Sequence, residues 1–160
     1  MKKFFEQAGG IADILLSHRD DVADADQYAK AFDARVWIHK HDARAAPYAT
    51  HRLESETEIR KNLLAVPVPG HTRGSVVYLL EDTYLFTGDS LAAAEDRKRL
   101  VAFHDACWYS WEALTASLER LKLYRFEWVL PGHGWSAHLP AAEMGRQLAA
   151  LVQRMKRSDR

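Results

Sequence analysis

The sequence predicts a single domain of the α/β or α+β class. Apolar runs of strand length alternate with segments whose apolar residues recur every three or four positions, which is the pattern of strands alternating with helices. The length of 160 residues suits one domain, and 48% apolar with 28% charged residues is typical of a folded globular chain. We therefore expect one domain over residues 1–160, with a disordered, solvated tail over residues 156–160.

The first quarter of the chain predicts two helices and two strands. Gly9 and Gly10 separate a short helix from a buried strand that ends at His18, because paired glycines break regular structure. A helix with one apolar face follows, and then a second strand rich in β-branched and aromatic residues. The predicted ranges are 4–8, 11–17, 24–33 and 35–39, and the polar residues 42–60 are predicted to be irregular.

The boundaries between predicted strands and helices are clearer in the second half of the chain. Polar residues 81 and 82 separate two strands, which predicts a hairpin. The spacing of Trp111, Leu114, Leu118 and Leu121 predicts the apolar face of a helix. In chain order, the predicted ranges are strands 63–68, 75–80 and 83–87, helix 110–123, strand 127–130 and helix 140–155.

The charge and cysteine content exclude several classes of protein. Equal numbers of basic and acidic side chains, 22 of each, argue against a nucleic-acid partner, which needs an excess of Lys and Arg. No apolar stretch approaches roughly 20 residues, the length of a membrane span. The N-terminus lacks the apolar core of a secretory signal, and Cys107 alone cannot form an internal disulfide. We therefore expect a cytoplasmic protein without a nucleic-acid or membrane partner, acting on a small-molecule substrate.

Polar residues that suit metal binding follow directly after four strand-like runs. They are His18 after ADILLS, His71 after AVPVPG, Asp89 after YLFTG and His133 after WVLPG. Glycine precedes three of them and lets the backbone turn sharply at the end of a strand. Imidazole and carboxylate ligands together suit zinc, iron or manganese. Because such loops can meet at one edge of a sheet, the combination predicts a metal site.

Three motifs resemble those of a known family. PGHTRGS at residues 69–75, FTGDS at 86–90 and LPGHG at 130–134 resemble the later motifs of the metallo-β-lactamase fold superfamily, and the glyoxalase II-like hydrolases are the most similar group. The resemblance covers about residues 11–155. It implies a four-layer αββα sandwich with the metal site at the shared edge of its two sheets.

The leading metal motif departs from the family pattern, in which H-x-H-x-D-H follows a strand. The aligned stretch here is HRDDVA at residues 18–23. His18 is retained, Asp20 stands where the second histidine belongs, and Val22 and Ala23 replace the aspartate and the last histidine. Asp20 has an alternative interpretation as a capping residue of the following helix, whose N-terminus favours carboxylates.

Carried over residue by residue, the resemblance implies one metal position. This position keeps His18, His71 and Asp89, with Asp20 as a carboxylate replacement. A second position keeps only Asp89 and His133, because valine and alanine cannot ligate a metal. We therefore expect one divalent ion, zinc first with iron or manganese as alternatives, beside an incomplete second position. His133 would bind a second ion where one is present and would otherwise hydrogen-bond the nucleophile or the oxyanion.

The chain also departs from the family at its N-terminus. In the family, a meander of strands several dozen residues long precedes the first histidine motif, whereas only ten residues precede the strand at 11–17 here. The expected fold is thus an N-terminally truncated αββα sandwich, with the missing strands absent or supplied by a partner. A sheet without its first strands exposes an edge and an apolar face, which predicts a homodimer through that edge.

Several residues beside the motifs are candidates for a role at the site. Arg73 would hold an anionic substrate or be merely solvated, and the hydroxyls of Thr72 and Ser75 would orient ligands. The aromatic side chains of Trp108, Tyr109 and Trp111 would form a wall of a substrate pocket or pack in the core.

Two functions from different classes fit these observations. The first is a metal-dependent hydrolase of an ester, thioester or lactam-like bond, in which Asp89 and His133 are catalytic and the ion polarises the carbonyl. Its activity is expected to be weak or altered, because Val22 occupies the position of the usual base. The alternative is a metal-poor, non-catalytic member that acts as a binding or interaction module. A third possibility, an iron-based redox protein, requires a flavin partner.

Overall fold

The computed structural model describes residues 2–97 and 99–158, which form two principal β-sheets with helices packed outside them. Within these residues the helices are α1 (Lys2–Gln7), α2 (Ala25–Phe32), α3 (Trp111–Leu121) and α4 (Ala141–Ser158). The strands are β1 (Asp13–Leu15), β2 (Arg35–His39), β3 (His51–Leu53), β4 (Thr57–Arg60), β5 (Leu63–Pro67), β6 (Val76–Leu80), β7 (Tyr84–Gly88), β8 (Ala92–Ala93), β9 (Leu100–Val101), β10 (Trp128–Pro131) and β11 (Ala137–His138).

The larger sheet has the strand order β11-β10-β7-β6-β5-β4. β7 is parallel to β10 and antiparallel to β6. Helices α3 and α4 cover one face of this sheet, where Leu85 and Val129 join Leu118, Met144 and Leu148 in one buried cluster. This packing holds β7 and its neighbour β10 against the two helices.

The smaller sheet has the order β1-β2-β3, and its strands are all parallel. Its outer face packs against α2 through a cluster that includes Val36, Ile38 and Ala25. Alternate residues of β2 point the other way, so Trp37 faces the larger sheet.

The two sheets pack against each other through Trp37 and Leu53 on one side and Val76 and Tyr78 on the other. The Tyr78 hydroxyl donates a hydrogen bond of 2.8 Å to the carbonyl of Leu16 and so links the two layers. The order of layers is α2, small sheet, large sheet, then α3 with α4. The αββα architecture expected from the sequence is thereby confirmed.

Part of the inner face of the large sheet remains exposed. Tyr84 and Phe86 of β7 are 36% and 43% exposed. Phe86 is exposed although its partner on the neighbouring strand β6 is Tyr78, which is buried. In addition, β1 is an edge strand of the small sheet. An edge strand and exposed aromatic rings agree with the open face expected from the sequence, and the homodimer stays a prediction.

The segment 42–60, predicted to be irregular, contains two strands and a short 3-10 turn. β3 pairs with β2, and β4 pairs with β5. Each strand has at most four residues and presents charged side chains such as Arg52 and Glu58 to solvent, so neither forms an apolar run. The strands β8, β9 and β11 were also missed, because two residues carry no periodicity.

The ends of most predicted elements differ from the structure by one to three residues. The first strand covers Asp13–Leu15, a shorter range than the predicted 11–17. Helix α4 continues to Ser158, so residues 156–158 are helical and do not belong to a disordered tail, while residues 159 and 160 lie outside the described part of the chain. Lys156 donates a 2.6 Å hydrogen bond to Glu119 of α3, which anchors this last turn. Among the described residues, no helix combines the length and the apolar character needed to cross a membrane.

Candidate metal centre

Loops that follow four strands bring the predicted polar residues to one edge of the sandwich. They are His18 after β1, His71 after β5, Asp89 after β7 and His133 after β10. β7 and β10 are parallel neighbours, so the loops after them begin side by side. The N–H of Val76 donates a 2.8 Å hydrogen bond to the carbonyl of Ser17, which joins the end of the small sheet to β6.

Two glycines allow these loops to approach neighbouring elements closely. Gly88 has a φ of +50°, in the left-handed region, and a Cβ at this position would lie 2.6 Å from Ser17 Oγ. A Cβ on Gly70 would lie 2.4 Å from the Cβ of Leu114 on α3. Larger residues would therefore push Asp89 and His71 away from the shared edge.

His18, Asp20 and His71 form a compact cluster, in which one ligand atom from each lies within 4.8 Å of the others. The Nε2 atom of His71 is 3.5 Å from an Asp20 oxygen. Asp89 Oδ2 lies 3.5 Å from Nε2 of His18 and 3.6 Å from Nε2 of His71. Ligand atoms around a tetrahedral ion with bonds of about 2.1 Å are about 3.4 Å apart. These separations therefore fit ligands of a single ion.

The imidazole rings of His18 and His71 are held through their Nδ1 atoms. His71 Nδ1 is 2.5 Å from the carbonyl of Ala106, which can only accept, so this nitrogen carries the proton and a neutral ring has its lone pair on Nε2. His18 Nδ1 is 2.9 Å from Ser17 Oγ. Both Nε2 atoms are buried and have no hydrogen-bond partner. Buried polar atoms are normally hydrogen-bonded. Two unpaired Nε2 atoms that face carboxylates therefore fit a metal-binding site.

Burial keeps His18 in the form that binds metals. Desolvation lowers the pKa of His18 below 6.5, and the Asp89 carboxylate opposes this shift without reversing it. A neutral imidazole offers a lone pair, whereas a protonated one does not.

His133 lies on the open side of the cluster, with a side chain that is 71% exposed. Its Nδ1 is 2.9 Å from Asp89 Oδ1. This hydrogen bond to Asp89 raises the pKa of His133 above 6.5, and the nearby charge of Asp21 adds to the shift. Asp89 thus faces His18 and His71 with one oxygen and His133 with the other.

Comparison with known proteins gives this arrangement a family. The sequence pattern of the Metallo-beta-lactamase superfamily matches residues 13–133, a range that includes all five predicted site residues. The chain belongs to the metallo-beta-lactamase superfamily.

Several members of the superfamily are similar to this chain. A hydroxyacylglutathione hydrolase of Cereibacter sphaeroides is 31% identical over 122 residues, which cover 72% of this chain and 48% of the relative. TTHA1623, solved in a di-iron-bound form, superposes with a TM-score of 0.66 at 28% identity over 91% of this chain and 80% of its own. ETHE1 from Myxococcus xanthus has a TM-score of 0.68 at 21% identity over 96% and 74% of the two chains. The chain spans less than half the length of the curated relatives it matches.

The structure brings together the five residues predicted for the metallo-beta-lactamase site, which are linked by separations of 3.6 Å or less. Asp20 lies beside His71, and the N-cap position of α2 belongs to Asp24. The interpretation of Asp20 as a helix cap is therefore not supported. Trp108 lies with its ring 6.5 Å from that of His71 and is 63% exposed, so it borders the site and is not part of the core.

Two positions of the superfamily's leading motif carry no ligand in this chain. Val22 packs against the cluster formed by α2 and the small sheet. Ala23 has a φ of +43° and contributes only a methyl group. Asp21, which precedes these two positions, is near enough to His133 for its charge to help raise the pKa of that imidazole.

Asp42 is a further residue of the site that no sequence motif indicated. Its side chain is buried and accepts hydrogen bonds from the Thr72 hydroxyl at 2.5 Å, the Gly74 N–H at 3.2 Å and the Arg19 N–H at 3.1 Å. Thr72 and Ser75 also hydrogen-bond to each other at 2.9 Å, so their hydroxyls brace the loop and not the imidazole rings. An isolated aspartate in a polar stretch gave no signal, because its partners lie far away in the sequence.

Proposed function

We propose that this chain is a metal-dependent hydrolase that uses one divalent ion held by His18, His71, Asp89 and Asp20. The observation that carries the proposal is the pair of buried Nε2 atoms, on His18 and His71, that face carboxylates and have no hydrogen-bond partner. A purely structural role for these histidines would leave two buried polar atoms without compensation, which costs free energy.

The ion, when bound, supplies a Lewis acid that polarises a carbonyl oxygen and lowers the pKa of a water molecule. Asp89 orients His133 through the 2.9 Å contact at Nδ1. That contact leaves Nε2 of His133, on an exposed ring, free to donate a proton to the leaving group or to bind a developing oxyanion. Asp89 and His133 are thus the proposed catalytic pair.

A second ion is not part of the proposal. Val22 and Ala23 supply no donor atoms, and Asp89 with His133 makes only half of a ligand set. We therefore expect weaker or altered activity compared with members that bind two ions.

A thioester is the proposed substrate class, with esters and lactam-like amides as alternatives. The support is the similarity to proteins named hydroxyacylglutathione hydrolase, whose name describes a thioester of glutathione. Zinc suits a site of two imidazoles and two carboxylates, and iron is the alternative because the similar TTHA1623 was solved with two irons.

The test is a metal-dependent hydrolysis assay with three probes: a hydroxyacyl thioester of glutathione, p-nitrophenyl acetate and a chromogenic β-lactam. Protein loaded with zinc, iron or manganese is compared with chelator-treated protein. We expect thioester hydrolysis that disappears with chelation and in His71→Ala, and that persists in His138→Ala, which removes an exposed histidine on β11. No metal-dependent hydrolysis of any probe would favour the non-catalytic binding module.

A further inference from the structure

We propose that a basic cleft beside the His71 loop is a binding site for an oxyanion group, a carboxylate or a phosphate, carried by the substrate. The cleft lies between the end of β2, the loop after β5 and helix α3. Its charged and aromatic lining is His39, Lys40, His41, Glu54, Arg73, Tyr109 and Arg120.

The charges lining the basic cleft do not cancel. Lys40, Arg73 and Arg120 are cationic, and Glu54 is the acidic side chain in the lining. Glu54 forms an ion pair with Lys40, in which Nζ lies 2.9 Å from the carboxylate. Within the described part of the chain, Arg73 has no ion-pair partner. An exposed guanidinium without a carboxylate partner is suited to bidentate binding of an oxyanion.

Two contacts restrain the walls of the basic cleft. Arg120 donates a 2.6 Å hydrogen bond to the carbonyl of Pro67, which holds its guanidinium over the cleft. Gly74, next to Arg73, is so close to Asp42 that a Cβ would lie 2.5 Å from its carboxyl carbon. Asp42 therefore restrains the backbone of the loop that carries Arg73, so the position of this residue is set before an anion binds.

The basic cleft and the candidate metal centre share the loop after β5. Arg73 is two residues from His71, and the backbone N–H of Tyr109 donates to the carbonyl of His71 at 3.1 Å. Tyr109 is 50% exposed, and its neighbour Trp108 borders the metal cluster. An anionic arm in the cleft would therefore position the remainder of a substrate toward His71, an assignment that rests on the proposed hydrolase function.

The experiment is titration calorimetry of the full chain with two probes, glutarate and inorganic phosphate. We expect one or both to bind, and the tighter probe identifies the anionic group. Arg73→Gln should weaken binding on the order of tenfold, the loss typical of one charge-assisted hydrogen bond. Lys30→Gln is the matched control, because it removes one exposed positive charge on α2 and should leave affinity within about twofold.

A second control separates the cleft from the metal centre. His18→Ala alters the metal cluster from a different loop and should leave probe binding intact. The proposal is overturned if neither probe binds, if Arg73→Gln binds as tightly as the parent chain, or if His18→Ala abolishes binding, since the anion would then sit on the metal. Because the titration requires no hydrolysis, an inactive protein that still binds the probes contradicts the proposed function and not the anion site.

Discussion

The hydroxyl of Thr72 donates a 2.5 Å hydrogen bond to Oδ2 of Asp42, and this bond joins the loop that carries His71 to the loop after β2. The same oxygen accepts from the N–H of Arg19, the residue after His18. Asp42 thus fixes the two loops that present His18 and His71, the proposed metal ligands, although its hydrogen bonds reach neither ring. Such buried support determines how accurately ligands are placed.

Replacing Asp42 by asparagine should therefore weaken both the fold and the metal site. Asparagine keeps one acceptor oxygen and replaces the other with an NH2 group. Either the Gly74 N–H, or the Thr72 hydroxyl together with the Arg19 N–H, therefore loses its acceptor. A buried unpaired donor costs about 1–3 kcal/mol. Loss of ligand support should reduce metal affinity about 10–100-fold. Urea unfolding and titration against a competing chelator measure the two effects. Asp105→Asn, at a fully exposed side chain, is the control, and equal values for both variants would contradict this role of Asp42.

The double substitution Val22→Asp with Ala23→His should create a second metal position. These changes restore the two ligands that the superfamily motif supplies beside Asp89 and His133. Histidine tolerates the left-handed backbone of residue 23 better than most residues, although an aspartate at half-buried Val22 will cost stability. Elemental analysis should show the metal content rise by about one equivalent. An unchanged content in folded protein would mean that HRDDVA is aligned wrongly with the motif.

Gly70→Ala should be strongly destabilising, because the added Cβ would lie 2.4 Å from Leu114 Cβ and would separate the His71 loop from α3. Gly145→Ala is the matched comparison, since its Cβ meets nothing within 4 Å on helix α4. Alanine there should stabilise the chain by about 0.5–1 kcal/mol through helix propensity. Thermal unfolding of both variants is the measurement, and similar melting temperatures would contradict the close approach of the two elements.

Acid should weaken the fold through His39. Burial lowers the pKa of His39 in the folded chain below the ordinary value of 6.5. At a pH between the folded-state pKa and 6.5, the unfolded chain therefore binds more protons than the folded chain. The stability linked to His39 is therefore complete above pH 6.5 and is lost as the pH falls below it. Urea unfolding at several pH values should show a smaller loss of stability on acidification in His39→Gln than in the parent chain. The same pH dependence in both would rule out this contribution.

Sequence reasoning predicted the parts of the structure that depend on local patterns. The strand-like runs indicated the four site residues that follow them, which are His18, His71, Asp89 and His133. The positive φ of Gly88 is a conformation that glycine adopts readily, and it forms the turn that precedes Asp89. β3 and β4 were missed, because strands of three and four residues with exposed charges are defined by their partners and not by periodicity.

The role of Asp42 was missed for a related reason. Its acceptor atoms are satisfied by Thr72 and Gly74, 30 and 32 residues away, and only the packed fold brings them together. In the same way, the basic cleft depends on Lys40, Arg73 and Arg120 meeting from three elements. Sequence patterns predicted which loops are important, whereas the arrangement between loops required the structure.

The proposed hydrolase depends on a single metal ion held by His18, His71, Asp89 and Asp20. The most direct test is elemental analysis, per chain, of protein purified without chelators or an affinity metal and then equilibrated with zinc, iron or manganese. We expect about one equivalent in the parent chain and in His138→Ala, and loss of the ion in His71→Ala. Less than about a tenth of an equivalent with every metal, or full retention in His71→Ala, would contradict it.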